Sequence, residues 1–275
     1  MKSLRIFFGI CVFLITIVVS ACSSDTSKSG DALDNIKARG FLKVGVFSDD
    51  PPFGFMDNQK QFQGFDIYIA KRFAKDLFGD ESKIEFIPVE AAARAEFAKS
   101  GKVDVIMANF TKTKEREEVV DFARPYMKVA LGVISKNEEV RSIDDLKGKK
   151  LIVDKGTTAD FYFTKNYPDI ELLKFDQNTE AFLALKDGRA NALAHDNAFL
   201  FAWAKENPGF SVGITAVGDQ SVAAPAVKKG NKELLDWLNK EIDKLTSEGF
   251  MLQAYNATLL PFYGKEVNPY ALIFK

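Results

Sequence analysis

"KLIVDKGTTADFYFTKN" occupies positions 150–166. Residues 150–153 read as a strand, and residues 158–166 as a helix. Between them stands the polar turn Asp154-Lys155-Gly156-Thr157-Thr158. A strand that passes through a short polar turn into a helix is one half of a βαβ unit. Outward toward the C-terminus the alternation continues. Residues 170–174 suit a strand, 179–186 a helix, 190–194 a strand, and 197–205 a helix with Leu200 and Trp203 on one side. Outward toward the N-terminus, an earlier round has the same character. It runs from a strand at 41–46 to a helix striped by Phe65, Ile69, Phe73 and Leu77. A strand at 83–89, a helix at 91–99 and a buried strand at 103–107 follow, with a further apolar run at 127–134. The stretch at 150–166 is therefore the start of a second round. The expected fold is α/β, with two lobes whose parallel-rich sheets are flanked by helices. A late strand at 222–227 and an amphipathic helix at 232–247, carrying Leu234, Leu235, Leu238, Ile242 and Leu245, come next, and Gly249 stops that helix. The tail through Pro261, Pro269 and Phe274 is apolar enough to pack, but its pattern assigns it no position.

The first residues belong to a different category. Lys2 and Arg5 precede an almost unbroken apolar run over 6–19, and Val19-Ser20-Ala21 puts small residues before Cys22. This is the layout of a secretory signal, too short and wrongly flanked for a membrane span. A plain signal peptide with an incidental Cys22 is the alternative to a lipoprotein signal. Residues 1–21 are expected to be removed, and 22–32 to form a flexible tether. The sequence has only two cysteines, Cys11 and Cys22, so the body carries no disulfide framework, and at this size it needs none. With 37 basic against 38 acidic residues and no basic block, nucleic acid is excluded as a partner.

In open parallel sheets, ligands sit beyond the carboxyl ends of strands. Three polar clusters hold such positions: 109–116, 154–158 and 195–197. Arg116 offers a planar fork suited to a carboxylate, with Thr111 beside it. Gly156, Thr157 and Thr158 open a helix, whose free N–H groups favour an anion. Asp196 suits an ammonium group. A carboxylate site facing an ammonium site describes an α-amino acid. Taken singly, Arg116 reads as a surface arginine, Asp196, Thr157 or Thr158 as helix N-caps, and His195 as a hydrogen-bonded structural histidine. Their joint placement after three strand ends is what favours a site. One histidine, with no serine or cysteine nucleophile in view, argues against a hydrolase, and there is no His/Cys cluster for zinc. No cofactor is expected.

Several short motifs occur in order: Asp50-Pro51-Pro52-Phe53, Gly64-Phe65-Asp66-Ile67, residues 111–116, residues 121–126, residues 145–149, residues 155–158 and His195-Asp196. Together with the cysteine-ended signal they resemble the polar amino-acid family (family 3) of periplasmic solute-binding proteins, over about 33–264. Within it, the cysteine-binding lipoproteins of bacterial ABC importers are nearest, through Val89-Glu90-Ala91-Ala92, residues 108–111 and residues 155–160. The resemblance implies a lipid on Cys22, an extracytoplasmic location, an ABC permease as partner and a monomer. It also implies lobe 1 from 33–128 plus 225–275 and lobe 2 from 134–219, with crossovers at 129–133 and 220–224.

The resemblance also carries roles for single residues. Arg116 clamps the α-carboxylate, with Thr111 and, from the second lobe, Thr157 and Thr158. Asp196 accepts the ammonium. Asn109 replaces a glycine common in relatives, and Phe53 belongs to the ligand pocket. Arg94 falls where relatives that take acidic amino acids bind the side-chain carboxylate. Asp50 replaces an aromatic that packs on extended basic ligands, which argues against arginine or lysine. Cysteine is the expected ligand, with aspartate or glutamate next. An unpaired Arg94 beside a small neutral ligand would need water or Glu90. A dehydratase of the cyclohexadienyl type on the same fold is the alternative, with Glu90 or Asp50 as acid and His195 as base.

Overall fold

The computed structural model describes residues 32–137 and 139–275, so the signal-like segment and Cys22 lie outside the described residues. The chain opens with α1 (Ala32–Arg39), whose first residue is the last of the expected tether, and then β1 (Leu42–Val46). Three short strands follow, β2 (Asp49–Asp50), β3 (Gly54–Met56) and β4 (Phe62–Gln63), paired as a small antiparallel sheet that the sequence pattern did not reveal. Helix α2 (Phe65–Phe78) buries Phe65, Ile69 and Phe73 and ends where Gly79, in the left-handed region, donates its N–H to the Lys75 carbonyl. Next come β5 (Ile84–Pro88), a 3₁₀ turn at Ala91–Ala93, α3 (Arg94–Ser100), β6 (Val105–Ile106), α4 (Lys114–Glu117) and β7 (Val120–Phe122).

The long strand β8 (Met127–Lys136) leads into the second round. It comprises β9 (Lys150–Asp154), α5 (Thr158–Asn166), β10 (Glu171–Phe175), α6 (Asn178–Lys186), β11 (Ala192–Asp196) and α7 (Asn197–Glu206). Strand β12 (Phe210–Ala223) and β13 (Ala226–Lys228) return the chain. The single strand expected at 222–227 is thus divided at Ala224-Pro225, because proline cannot donate to a ladder. Helix α8 (Lys232–Ser247) keeps its expected limits, and α9 (Phe250–Thr258) and α10 (Leu260–Tyr263) fill the tail.

Two five-stranded sheets result. In the first the order is β5-β1-β6-β13-β7, and in the second β10-β9-β11-β8-β12. Each has a parallel core, β5-β1-β6 or β10-β9-β11, joined by one antiparallel strand that arrives from the other sheet, β13 or β8, with β7 or β12 of the same round at the edge beyond it. A strand entering from the opposite lobe necessarily runs against those that end at the cleft. The far ends of β8 and β12 pair with each other, Met127 with Ala223 and Val129 with Ser221, so the residues expected to cross, Ala224 excepted, lie in two paired strands whose register shifts along their length. The largest apolar core packs α2 and α8 on the first sheet through Phe65, Phe73, Leu234 and Leu238, and it continues to Phe182 and Phe199 of the second round.

Candidate functional site

The wall from the first sheet is built around Asn109. Its φ of 44° lies in the left-handed region, where asparagine is among the few side chains tolerated. Its N–H donates to Asp66 Oδ2 at 2.7 Å, and its amide Nδ2 donates to Asp50 Oδ2 at 3.4 Å. The chain then turns into α4, where the Thr113 hydroxyl caps the helix by accepting the Arg116 N–H at 3.2 Å. Arg116 is thereby buried rather than displayed on a charged surface helix. Its guanidinium lies 4.5 Å from the Phe110 ring centroid, and it donates to the Thr111 carbonyl at 2.6 Å and the Gly156 carbonyl at 2.9 Å.

Arg94 stands beside it between Phe47 and Phe110, at 5.1 and 4.7 Å from their ring centroids. It donates to the carbonyls of Ala91 and Ala108 at 2.9 Å, and more weakly to those of Asn109 and Gly156 at 3.4 Å. The partner expected from Glu90 or water is therefore replaced by main-chain carbonyls, and Glu90 itself is exposed.

The wall from the second sheet comes from the ends of β9 and β11. The Thr157 hydroxyl donates to the Asp154 carbonyl at 2.6 Å and accepts the Asp160 N–H at 3.2 Å, which makes it the cap of α5. Strand β11 runs two residues further than expected, so His195 and Asp196 are strand-final residues. Asp196 makes no side-chain cap bond to α7. His195 is buried too, yet among the described residues neither ring nitrogen has a hydrogen-bond partner; Asp154 Oδ2 is 4.0 Å away. The expected hydrogen-bonded structural histidine is not what the structure contains.

Burial dominates the electrostatics. It pushes the Asp196 carboxyl up to about 6 against the pull of Arg94 and Arg116, and Asp66 up to about 6 despite its bond from Asn109. Asp50 lies well above the usual range, through burial and then the neighbouring Asp196 and Asp66. Burial lowers Arg94 to about 10, and burial together with the nearby Arg94 charge holds Arg116 well below its usual value. His195, lowered to about 3 by burial and Arg94, is neutral.

Arg94, Asn109, Thr111, Arg116, Thr157, Thr158 and Asp196 all line one cavity of about 10 Å³, together with Phe47 and His195. That is room for about one water, so the lobes are closed tightly around it. Thr111, Thr158, Arg116 and Asp196 also line an adjoining groove of about 940 Å³, which extends to Phe161 and Tyr162. The Gly156 carbonyl accepts from Nη2 of both arginines, and a carboxylate oxygen is the same kind of acceptor with more charge.

Two expected site residues are placed elsewhere. Phe53 is fully buried in the largest apolar core, with Phe65, Ile69 and Phe73 of α2, and lines none of these cavities. Asp50 lies behind Asn109 and lines none of these cavities. The aromatic at the site is Phe47, which the sequence reading missed. It directly follows the end of β1, and that position was the available signal. Asp66, which holds the Asn109 N–H, was likewise seen only as part of a motif.

Residues 42–259 match the family model of bacterial extracellular solute-binding proteins, family 3. A solved solute receptor for L-cysteine from Neisseria gonorrhoeae is 56% identical, with a TM-score of 0.87 over 88% of this chain and 99% of that one. The cysteine-binding protein from Campylobacter jejuni is 53% identical, with a TM-score of 0.88 over 89% and 99%. A glutamine-binding protein of a Bacillus subtilis ABC transporter is 34% identical over 85% of this chain and 89% of its own length. The chain belongs to the family 3 extracellular solute-binding proteins and has the two-lobed fold of its solved members.

Proposed function

We propose that this amino-acid-binding member of the family captures cysteine outside the cytoplasm and delivers it to the permease of an ABC importer. The observation that carries the reading is that Arg116 from the first lobe and Asp196 from the second line the same cavity. A fork for a carboxylate and an acid for an ammonium then come from opposite lobes, so one α-amino acid bridges them and favours closure. In this reading Arg116 and Thr111 hold the α-carboxylate, Thr158 and the start of α5 contribute N–H and hydroxyl donors, and Asp196 takes the ammonium. The Thr157 hydroxyl, already bonded twice, contributes through the cap it maintains. The carboxylate displaces the Gly156 carbonyl from the guanidinium.

Arg94 supports cysteine over aspartate or glutamate. Its donors are taken by carbonyls of the protein, so a neutral side chain leaves it satisfied. The two cysteine-binding neighbours point the same way. The dehydratase alternative is weaker. Its candidate acids are Asp50, behind Asn109, and Glu90, exposed, and neither lines the cavity that the arginines enclose. We further assign residues 33–128 with 225–275 to lobe 1 and 134–219 to lobe 2. The chain would be monomeric and held to the membrane by a lipid on Cys22.

Calorimetric titration of ligand-free protein with the twenty amino acids and cystine, with and without reductant, tests the reading. Cysteine alone should bind tightly. Preference for aspartate or glutamate would transfer specificity to Arg94, and silence across the panel would end the amino-acid reading.

A further inference from the structure

One end of the cavity beside the arginines is formed by Asn109, and that residue is held at three points. Its N–H donates to Asp66 at 2.7 Å, its carbonyl accepts from Arg94 at 3.4 Å, and its amide Nδ2 donates to Asp50 Oδ2 at 3.4 Å. Asn109 is 2% exposed and lines the cavity, whereas Asp50 is fully buried and does not. The carboxamide therefore stands between the cavity and a buried carboxyl. Its φ of 44° is a conformation that glycine takes freely and most other residues avoid. A side chain kept at such a position, on a backbone pinned from both sides, has a use that glycine would not serve.

With the α-carboxylate at Arg116 and Thr111 and the ammonium at Asp196, the ligand's side chain is left to face Phe47, Asn109 and His195. Past Phe47, which lines both, lies a second chamber of about 140 Å³. Its four ionisable lining residues, Asp49, Glu90, Asp154 and Asp176, are all acids, and among the described residues neither carboxylate oxygen of Asp154 has a hydrogen-bond partner. A thiol, a weak donor and a weak acceptor, gains little among carboxyls and more from close packing. We propose that the Asn109 side chain, propped by Asp50, is the stop that sets the length of amino acid the receptor accepts. The inference rests on the cysteine reading above. The thiol ends against the carboxamide, whose Oδ1 has no partner among the described residues and can accept the S–H. A side chain one methylene longer meets a group that cannot retreat, because Asp50 stands behind it.

The test is calorimetric titration, under reducing conditions, with L-cysteine and with L-homocysteine, which carries the same thiol one methylene further out. The unmodified protein should favour cysteine by roughly 10- to 200-fold, the range that one methylene commands in a fitted pocket. In Asn109→Gly, which the positive φ accommodates, that preference should fall by about tenfold or more. Asp50→Ala keeps the carboxamide but removes its prop, and should relax the preference in the same direction. Because it deletes a buried carboxyl, it does not share the folding risk of the first variant. Equal or tighter binding of homocysteine by the unmodified protein would show that the side chain runs past Phe47. An undiminished preference in both variants would show that another residue sets the length. Either result, or a folded Asn109→Gly that binds neither thiol, overturns the stop and leaves the cysteine reading standing. Silence of the unmodified protein toward both would overturn the cysteine reading as well.

Discussion

Gly156 of the second lobe lies directly against Ala92 of the first. A Cβ built on Gly156 would stand 2.5 Å from the Ala92 Cα, and Gly156 has a φ of 72°. The same residue turns its carbonyl to Arg116 and Arg94. One glycine thus serves as a point of close approach between lobes and as an acceptor for one nitrogen of each arginine.

Gly156→Ala should consequently oppose closure more than it opposes folding. The left-handed conformation costs an alanine roughly 1–2 kcal/mol. The collision with Ala92 arises only when the lobes meet, so the open form escapes it. The expected outcome is a modest drop in Tm with ligand affinity reduced by about two orders of magnitude. Small-angle scattering should show a larger radius of gyration in the presence of ligand than for the unmodified protein. Unchanged affinity would show that the two backbones separate at no cost.

If the proposed roles hold, Arg116→Ala and Asp196→Ala each remove one partner of a buried charge pair between ligand and protein. Losses of this type run to about 3–5 kcal/mol. Either variant should bind the preferred amino acid at least a hundredfold more weakly by calorimetry, with the fold intact by circular dichroism. Arg94→Ala should instead lower Tm, since its donors serve the Ala91 and Ala108 carbonyls.

Asp49 ties the lobes together at a second point, accepting from Asn178 and Thr179 at the start of α6. Asp49→Ala leaves that helix terminus without its acceptor from the other lobe, a loss of about 0.5–2 kcal/mol by analogy with N-cap removal. The expected result is a several-fold rise in Kd, carried by faster ligand release in stopped-flow measurements.

Stability and affinity should move in opposite directions with pH. Asp66 and Asp196 are raised to about 6, Glu241 to about 7 and Asp154 to about 8, in each case chiefly by burial. All four bind a proton more tightly in the folded chain than in the unfolded one. The stabilisation is therefore complete below about pH 4 and is lost as the pH rises through 6 to 8. His195, lowered to about 3 by burial and Arg94, opposes this in part as the pH falls below about 6.5. Asp76, held at about 2 against its burial by hydrogen bonds to Glu241, Lys244 and Arg72, starts to subtract only below pH 4. A tenfold difference in proton affinity is worth roughly 1.4 kcal/mol. Tm of the ligand-free protein should accordingly rise by several degrees from pH 8 to pH 5. Ligand affinity should fall below about pH 6, where Asp196 loses the charge that pairs with an ammonium. Tm and ligand affinity rising together as the pH falls would refute this assignment.

Residue types and spacing determined the α/β class, the second round of strands and helices, and which charged side chains stand at the strand ends. Apolar periodicity and cap chemistry act over a few residues: Asn231 and Gly249 bound α8, and Thr157 starts α5, whatever the rest of the chain does. The three polar clusters were legible for the same local reason, since a strand end must offer its polar groups to something. Other features were decided only by the tertiary structure. Phe53 and Phe47 look equivalent in sequence, but one enters the apolar core and the other lines the cavity beside the arginines, because β2 and β3 fold the intervening chain back. Arg94 gave no sign that carbonyls from distant positions would satisfy it, nor Asp154 that it would be left without a donor. Burial, and the meeting of backbone groups far apart in sequence, depend on where whole elements pack, and no short stretch of chain encodes that.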